Sequence, residues 1–218
     1  MKREIIITSD GSTTIHLPDW NEQYHSKHGA IQEAYHVFIK SGLEHIVQKD
    51  ISILEIGFGT GLNCFITYLE SGTHHINYVG VEAFPVAIAE VQKLNYVSEL
   101  NALENEAVFN KLHEVSWEEK HEINPHFSLT KREQFFKDIA DEAAFHLIYF
   151  DAFGARVQPE LWTEAIFQKM YTALKDNGVL VTYAAKGSVR RAMEAVGFTV
   201  ERLPGPPGKR EMLRATKS

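Results

Sequence analysis

The 218 residues predict an α/β fold built on a doubly wound, mainly parallel sheet. Three observations lead there. From Ile51 to Ala184, short apolar runs alternate with stretches of helical period. The first such run passes directly into Gly57-Phe58-Gly59-Thr60-Gly61, a glycine-rich turn that opens a helix. The chain closes on two β-rich runs, 198–203 and 212–215, whose connection through Pro204 to Arg210 is too short for a crossover helix, so they pair antiparallel.

Ahead of the sheet, Glu4 to Thr8 and Thr13 to Leu17 flank Ser9-Asp10-Gly11-Ser12, and Asp-Gly between two such runs predicts a hairpin. Ile31, Ala34, Tyr35, Phe38 and Ile39 recur at helical spacing, and Gly42 stops that helix. The expected organisation is a single domain, 1–218, with a hairpin-and-helix extension over 1–45 and the core over 46–218. In the core, Ile51 to Glu55 is the first strand, Leu62 to Leu69 a helix and Tyr78 to Glu82 the second strand. Pro85 is tolerated in a first helical turn and introduces a helix over Val86 to Leu94. Residues 99–125 predict helical pieces and an acidic surface run, Glu118-Glu119-Lys120-His121-Glu122. Phe127 to Thr130 is a short third strand, and Phe145 to Phe150 a buried fourth that ends at Asp151. Glu160 to Leu174 is a helix, Asp176-Asn177-Gly178 a turn, and Val179 to Ala184 the fifth strand. Ser188 is expected to cap a last helix that ends at Gly197.

With 44% hydrophobic residues the chain can bury a sizeable core, while 14 glycines and 7 prolines exclude a collagen-like or disordered chain. The lone cysteine, Cys64, excludes an internal disulfide and a multi-cysteine metal site, and reads as packing. No run is long and apolar enough for a membrane span, and the first residues lack a signal-peptide core, so a cytoplasmic protein without a membrane partner is expected. Among the 11 histidines, His25-x-x-His28 and His74-His75 are the nearest clusters, and neither has a matching carboxylate set, so no metal is expected. The net charge of −7 is unevenly spread: Lys186 to Ser218 holds eight basic against three acidic residues, net +5, which leaves −12 on the rest. A basic segment of this kind suits phosphates, and is equally the pattern of a solvated surface.

The glycine turn is preceded by Glu55 and spaced G-x-G-x-G, unlike the dinucleotide G-x-G-x-x-G, and no Gly-Lys-Ser/Thr follows as in a phosphate-cradling loop. Glu82 ends the second strand, where a carboxylate accepts both hydroxyls of an adenosine ribose and repels a 2′-phosphate. Asp151 ends the fourth strand at the same edge, where open α/β sheets take their ligands. Each acid could otherwise simply cap the helix that follows.

Glu55-x-Gly57-x-Gly59-x-Gly61, Glu82 and the terminal antiparallel strands resemble class I S-adenosylmethionine-dependent methyltransferases. Asp151-Ala152-Phe153 with Pro159-Glu160-Leu161-Trp162, Tyr183-Ala184-Ala185-Lys186-Gly187, Val189-Arg190-Arg191, Gly197-Phe198 and the stretch Leu203 to Leu213 resemble, more narrowly, the MnmD family of tRNA wobble-uridine methyltransferases. That family is the stand-alone counterpart of the methyltransferase half of bifunctional MnmC. Asp10-Gly11-Ser12 and the stretch Tyr24 to Glu33 fit it as well, so the resemblance spans nearly the whole chain.

The resemblance implies a Rossmann-like, seven-stranded, mostly parallel sheet with an antiparallel C-terminal strand. It implies methyl transfer from S-adenosylmethionine to the aminomethyl nitrogen of 5-aminomethyl-(2-thio)uridine at tRNA position 34. No FAD and no flavin domain are expected in this chain, and coupling to the enzymes that install the aminomethyl group is. By the same resemblance Glu33, Glu55, Gly57, Phe58, Gly59, Gly61, Asn63, Glu82 and Asp151 hold the cofactor, with Asp151 also catalytic. Phe153, Tyr183, Lys186, Arg190, Arg191, Lys209 and Arg210 face the tRNA anticodon loop, the aromatics stacking a splayed base and the cations meeting phosphates. Trp162 reads as core. Two departures stand out: Gly154-Ala155 replaces a proline expected after Phe153, and Thr130-Lys131-Arg132-Glu133 offers no acid at the adenine end of the third strand. Other classes stay open: a methyltransferase or aminopropyltransferase acting on a small amine, or a non-catalytic tRNA-binding module. An aminopropyltransferase predicts an acidic acceptor pocket, in contrast to the basic C-terminal segment.

Overall fold

The structure is a computed structural model that describes residues 2–218. Strands β1 (Glu4–Ile7) and β2 (Thr13–Leu17) form the expected hairpin, with Ile5 opposite Ile15, and a short β3 (Glu22–Gln23) joins β2. Asp10 fastens the turn: it accepts from Thr8 Oγ1 at 2.7 Å and from the Ser12 N–H at 3.1 Å. It also takes the Gln32 N–H at 3.0 Å, tying the hairpin to the start of α1 (Ala30–Ala34). The same helical run continues in π geometry over Tyr35–Lys40.

The core follows as β4 (Asp50–Ile56), α2 (Leu62–Leu69), β5 (His75–Glu82), α3 (Ile88–Val91), α4 (Tyr96–Glu99) and α5 (Glu106–Glu114). Next come β6 (Lys120–Asn124), β7 (Phe127–Glu133), β8 (Phe145–Phe150), α6 (Glu164–Ala173) and β9 (Leu174–Thr182). The chain closes with α7 (Gly187–Ala195), β10 (Phe198–Pro204) and β11 (Glu211–Lys217). The main sheet has the order β10-β11-β9-β8-β4-β5-β7-β6. From β9 to β7 the pairings are parallel, and β11 runs antiparallel to both its neighbours. The seven expected strands are thus all present, and β6 adds an eighth, antiparallel, beside β7.

That eighth strand is built from the acidic run expected as plain surface. Only Ile123 of its five residues is buried, so no apolar alternation marks it in the sequence. The helix expected over Val86 to Leu94 shrinks to α3, because Ala87 is extended (φ −68°, ψ 145°) and its N–H is taken by Glu90 Oε2 at 3.1 Å. The helix expected from Glu160 is a 3₁₀ turn, Pro159–Trp162, broken from α6 by extended Thr163. Ser188 does not cap α7: the capping position is extended Lys186, with no side-chain cap, and Ser188 lies within the first turn. The turn at Asp176–Gly178 is a bulge within β9, with Asn177 at φ 62° and a register shift against β8.

Residues of β8 alternate between two apolar layers. Leu147 and Tyr149 join Phe38, Phe65 and Phe109 beneath α1 and α2, while Ile148 and Phe150 join Phe167, Met170 and Met193 from α6 and α7. Truncating a fully buried aromatic such as Phe65 or Phe167 to alanine would cost about 3–5 kcal/mol. This two-sided packing makes the central strands rigid, and so fixes the loops at their C-terminal ends.

Candidate functional site

Strand β4 lies between β5 and β8, so the chain's direction of winding reverses there and leaves a crevice at the strand ends. Three backbone bonds stitch its rim. The N–H groups of Gly57 and Phe58 both donate to Val81 O at 3.0 Å, and the Asp151 N–H donates to Ile56 O at 2.9 Å. Gly57 has φ 93°, and a Cβ there would stand 2.8 Å from the Asp151 carbonyl oxygen, so only glycine brings this loop so close.

At the end of β5, Glu82 accepts the Gly59 N–H on Oε2 (3.1 Å) and the Phe84 N–H on Oε1 (2.9 Å). Burial pushes its carboxyl upward, and these N–H groups pull against that. Each oxygen keeps a lone pair for the adjoining cavity of about 960 Å³, which Gly57, Gly59, Asn63, Glu82, Phe84 and Asp151 help line. Arg3, from the hairpin, also lines it. Its guanidinium donates to Glu90 Oε2 at 2.8 Å and to the carbonyls of Phe84 (3.0 Å) and Pro85 (3.4 Å), holding the loop after Glu82. Phe84 and Phe135, both largely exposed, meet edge to face at 5.9 Å.

On the other side of β4, the Asn63 amide bridges two acids. Its Nδ2 donates to Glu55 Oε1 at 2.9 Å and to Asp151 Oδ2 at 2.8 Å. Glu55 is fully buried behind Asn63, and burial pushes its carboxyl well up. Asp151 is raised to about 7 by burial, then by the charge of Glu33, against the Asn63 bond and the Lys209 charge. The Asn63 Oδ1 is buried without a partner among the described residues. The glycine cradle, the free lone pairs of Glu82 and this unpartnered acceptor fit an adenosyl ligand that brings ribose hydroxyls and N–H donors.

A second cavity of about 380 Å³ shares Tyr24, His25, Ala152 and Phe153 with the first. Glu22, Glu33, Tyr183 and Lys209 also line it. Glu33 is buried; its Oε1 accepts the Ser26 N–H at 3.3 Å and its Oε2 accepts from Lys209 Nζ. The same ammonium sits 3.8 Å over the centre of the Tyr183 ring, and Tyr183 donates its hydroxyl to Ala152 O at 2.8 Å. Phe153 packs edge-on against Trp20 (5.7 Å) and Tyr24 (5.0 Å).

The expected residues therefore divide. Gly57, Phe58, Gly59, Asn63, Glu82, Asp151 and Phe153 come together at the larger cavity. Glu55 supports it from behind, and Gly61 stands at the start of α2. Glu33, expected with the cofactor, opens onto the second cavity, and Lys209, expected toward phosphates, is turned inward onto Glu33. Lys186, Arg191 and Arg210 are exposed and line neither cavity, and Arg190 pairs with Glu194 at 3.2 Å. Trp162 is core, its Nε1 donating to Phe153 O at 2.8 Å. Gly154 lines the second cavity, while Ala155, where the proline was expected two positions after Phe153, lines neither. The third strand does end in an acid: β7 reaches Glu133, level with Glu82, but Glu133 is exposed and Phe84 and Phe135 line the cavity instead.

Arg3, Trp20 and His25 were not legible as site residues, because nothing in a hairpin's own sequence says where it docks. His25 bonds Thr14 Oγ1 (3.1 Å) and Thr60 Oγ1 (3.4 Å), joining the extension to the glycine loop, and burial lowers it to about 4, so it is neutral. Among the described residues no group of three or more His, Cys, Asp or Glu side chains is arranged to hold a metal, and no helix is long and apolar enough to cross a membrane.

Comparison with known proteins agrees with this geometry. The bifunctional MnmC protein of tRNA 5-methylaminomethyl-2-thiouridine biosynthesis from Leptospira borgpetersenii serovar Hardjo-bovis (strain JB197) is 27% identical over 213 residues, covering 89% of this chain and 32% of the relative. Its namesake from Burkholderia mallei (strain SAVP1) is 27% identical over 232 residues, covering 96% and 34%. The chain thus spans about a third of the length of these relatives. Among solved structures, MNMC2 from Aquifex aeolicus matches with a TM-score of 0.78 at 25% identity, over 100% of this chain and 70% of that one. Spermidine synthase from Thermotoga maritima shares the fold, with a TM-score of 0.56 at 14% identity over 98% and 72% of the two chains. A family model described as S-adenosyl-L-methionine-dependent methyltransferase matches residues 91–218, which hold Asp151, Tyr183 and Lys209. That match takes in more than half of the sequence, and it makes this chain a member of the S-adenosyl-L-methionine-dependent methyltransferase family.

Proposed function

We propose that this methyltransferase acts on the aminomethyl nitrogen of 5-aminomethyl-(2-thio)uridine at the wobble position of tRNA, giving the methylaminomethyl base. The observation that carries this reading is the turn Asp151-Ala152-Phe153: Asp151 lines the larger cavity, Ala152 and Phe153 line both, and the turn so stands between a donor side and an acceptor side. The MnmC relatives, named for tRNA 5-methylaminomethyl-2-thiouridine biosynthesis, suggest the tRNA and the base.

S-adenosylmethionine supplies an electrophilic methyl carbon, so the work left to the chain is placement and proton removal. Glu82 would accept the ribose hydroxyls, and the glycine loop would let the donor approach the backbone. Across the Asp151 turn, an arriving ammonium would first pass one N–H proton to Asp151, and the lone pair so freed would bond the methyl carbon as the carbon–sulfur bond breaks and sulfur keeps its electron pair. An alkylammonium near pKa 10 and an ordinary carboxylate near 4 differ about a millionfold in proton affinity. Asp151, at about 7, narrows that gap to roughly a thousandfold. Asn63 holds the carboxylate in orientation. Phe153 offers an aromatic face to the uracil and Tyr183 one to its aminomethyl group, and exposed Lys186, Arg191 and Arg210 offer charge to the phosphates. In this reading residues 1–218 act as one methyltransferase unit needing neither flavin nor metal for this step, and other enzymes install the aminomethyl group.

A second reading has one observation in its favour. Glu22 and Glu33 bring two carboxylates to the smaller cavity, which Lys27 and Lys209 also line; Glu22 is paired with Arg156 and Glu33 with Lys209. Two carboxylates that already hold cations also suit a free polyamine, the acceptor of a spermidine synthase. Incubation with labelled S-adenosylmethionine and either undermethylated tRNA or a polyamine separates the two. Label in methylaminomethyluridine at position 34 is the expected result; label on the polyamine alone would replace the reading.

A further inference from the structure

We propose that Glu33 and Tyr183 form a seat for a primary alkylammonium, which the side chain of Lys209 occupies in the structure and which the acceptor's aminomethyl group takes by displacing it. The identity of that occupant rests on the acceptor reading above; the seat itself does not.

A carboxylate on one side and an aromatic face on the other is how proteins hold alkylammonium ions. Both partners are present, with the Lys209 ammonium bonded to Glu33 Oε2 and 3.8 Å from the Tyr183 ring centre. Glu33 is only 6% exposed, so its negative charge needs a cation wherever that cation comes from. A lysine side chain and an aminomethyl group end in the same atoms, a methylene and an ammonium, so whatever recognises one recognises the other.

Lys209 is built to leave. It sits on the loop between β10 and β11, its side chain keeps 31% of its surface in solvent, and its four-carbon stem is flexible. The loop is pressed against the N-terminal extension at Gly208 (φ 82°), where a Cβ would overlap the His28 ring. Other cations of this hairpin pair within it: Arg202 with Glu211 and Arg214 with Glu201. Lys209 instead points into the cavity lined by Ala152 and Phe153, the residues that follow Asp151, beside the larger cavity where an arriving amine must lose its proton.

The test has two arms. In the first, Lys209→Ala is titrated with n-propylammonium, followed by thermal shift and by NMR of the aromatic ring protons. Saturable binding in the millimolar range, the affinity open to so small a ligand, is expected for this variant. Wild type, with the seat filled, and the double variant with Glu33→Gln should show none. Absence of Glu33-dependent binding to Lys209→Ala would overturn the seat.

In the second arm, methylation of aminomethyluridine tRNA by Lys209→Ala should show KM lowered several-fold, with affinity for S-adenosylhomocysteine unchanged. A raised KM with a shallower salt dependence would make Lys209 a phosphate contact and overturn the displacement. Tighter S-adenosylhomocysteine binding with KM unmoved would give the seat to the donor's α-ammonium, overturning the acceptor assignment. A wild-type protein that methylates no such tRNA would overturn the functional reading and the named occupant together, while the first arm still decides the seat.

Discussion

Glu82 and Asp151 each stand at the end of a strand flanking β4, yet they are held in different ways. Glu82 takes two backbone N–H bonds, which cannot move without moving the glycine loop and the end of β5. Asp151 is bonded by the Asn63 amide alone and shares its surroundings with Glu33 and Lys209. Backbone donors favour a carboxylate that stays charged and fixed, as a ribose clamp requires. A single amide, burial and a neighbouring acid favour one that takes up a proton near neutrality. The two halves of the crevice therefore divide binding from proton handling, although in sequence both are simply an acid after an apolar run.

That division is breakable by experiment. The largest expected effect is from Asp151→Asn, which keeps the shape and the orientation but cannot accept a proton. We expect kcat to fall about 10²–10⁴-fold, the range of general-base catalysis, with S-adenosylhomocysteine affinity within about threefold. An unchanged kcat would remove Asp151 from proton transfer. Next is pH. Activity should rise as Asp151 ionises through about 7 and fall roughly tenfold per unit below it, a limb absent in Asp151→Asn. Stability moves the opposite way, because the raised carboxyl favours folding fully below the unfolded value near 4 and that contribution is lost as pH rises through about 7. Asp151→Asn should thus melt higher than wild type at pH 8 and lose that advantage toward pH 4, read by thermal melts.

Glu82→Gln sharpens the other half. It should weaken S-adenosylhomocysteine binding about 10–100-fold by calorimetry, the worth of charge-assisted hydrogen bonds, and leave kcat at saturation within a few-fold. The smallest effect is expected from Arg3→Met, which frees the loop after Glu82 without touching the acids. A loss of roughly 3–10-fold in S-adenosylhomocysteine affinity would show that the extension helps shape the donor side; no loss would make Arg3 structural only.

Part of this molecule was legible in its sequence because physics wrote it locally. β4, β5 and β8 are buried on both faces and read as apolar runs, and the glycine loop follows from the close approach at Gly57. Glu82 and Asp151 were readable for the same reason, since they end those runs. β6 was not, because an edge strand with one buried residue has no period to detect. Nor was the meeting of Lys209 with Glu33, which are 176 residues apart and joined only when the terminal hairpin folds over the first helix. The charge excess after Lys186 pointed outward to phosphates; the fold instead turns one of those cations inward. Arg3, a charged residue near the start of the chain, gave no hint that it would clasp a loop more than eighty residues away.

The added strand β6 has a consequence for solubility. A sheet whose last strand was β7 would expose the hydrogen-bonding edge of a run containing Phe127 and Leu129, an invitation to another chain. β6 covers that edge with Lys120 and Glu122 facing out, and β10 guards the far edge with Glu201 and Arg202 before ending at Pro204, which has no N–H to offer. Both margins of the sheet thus discourage further strand pairing, and the apolar strands between them can stay as uniformly hydrophobic as the crevice requires without seeding aggregates.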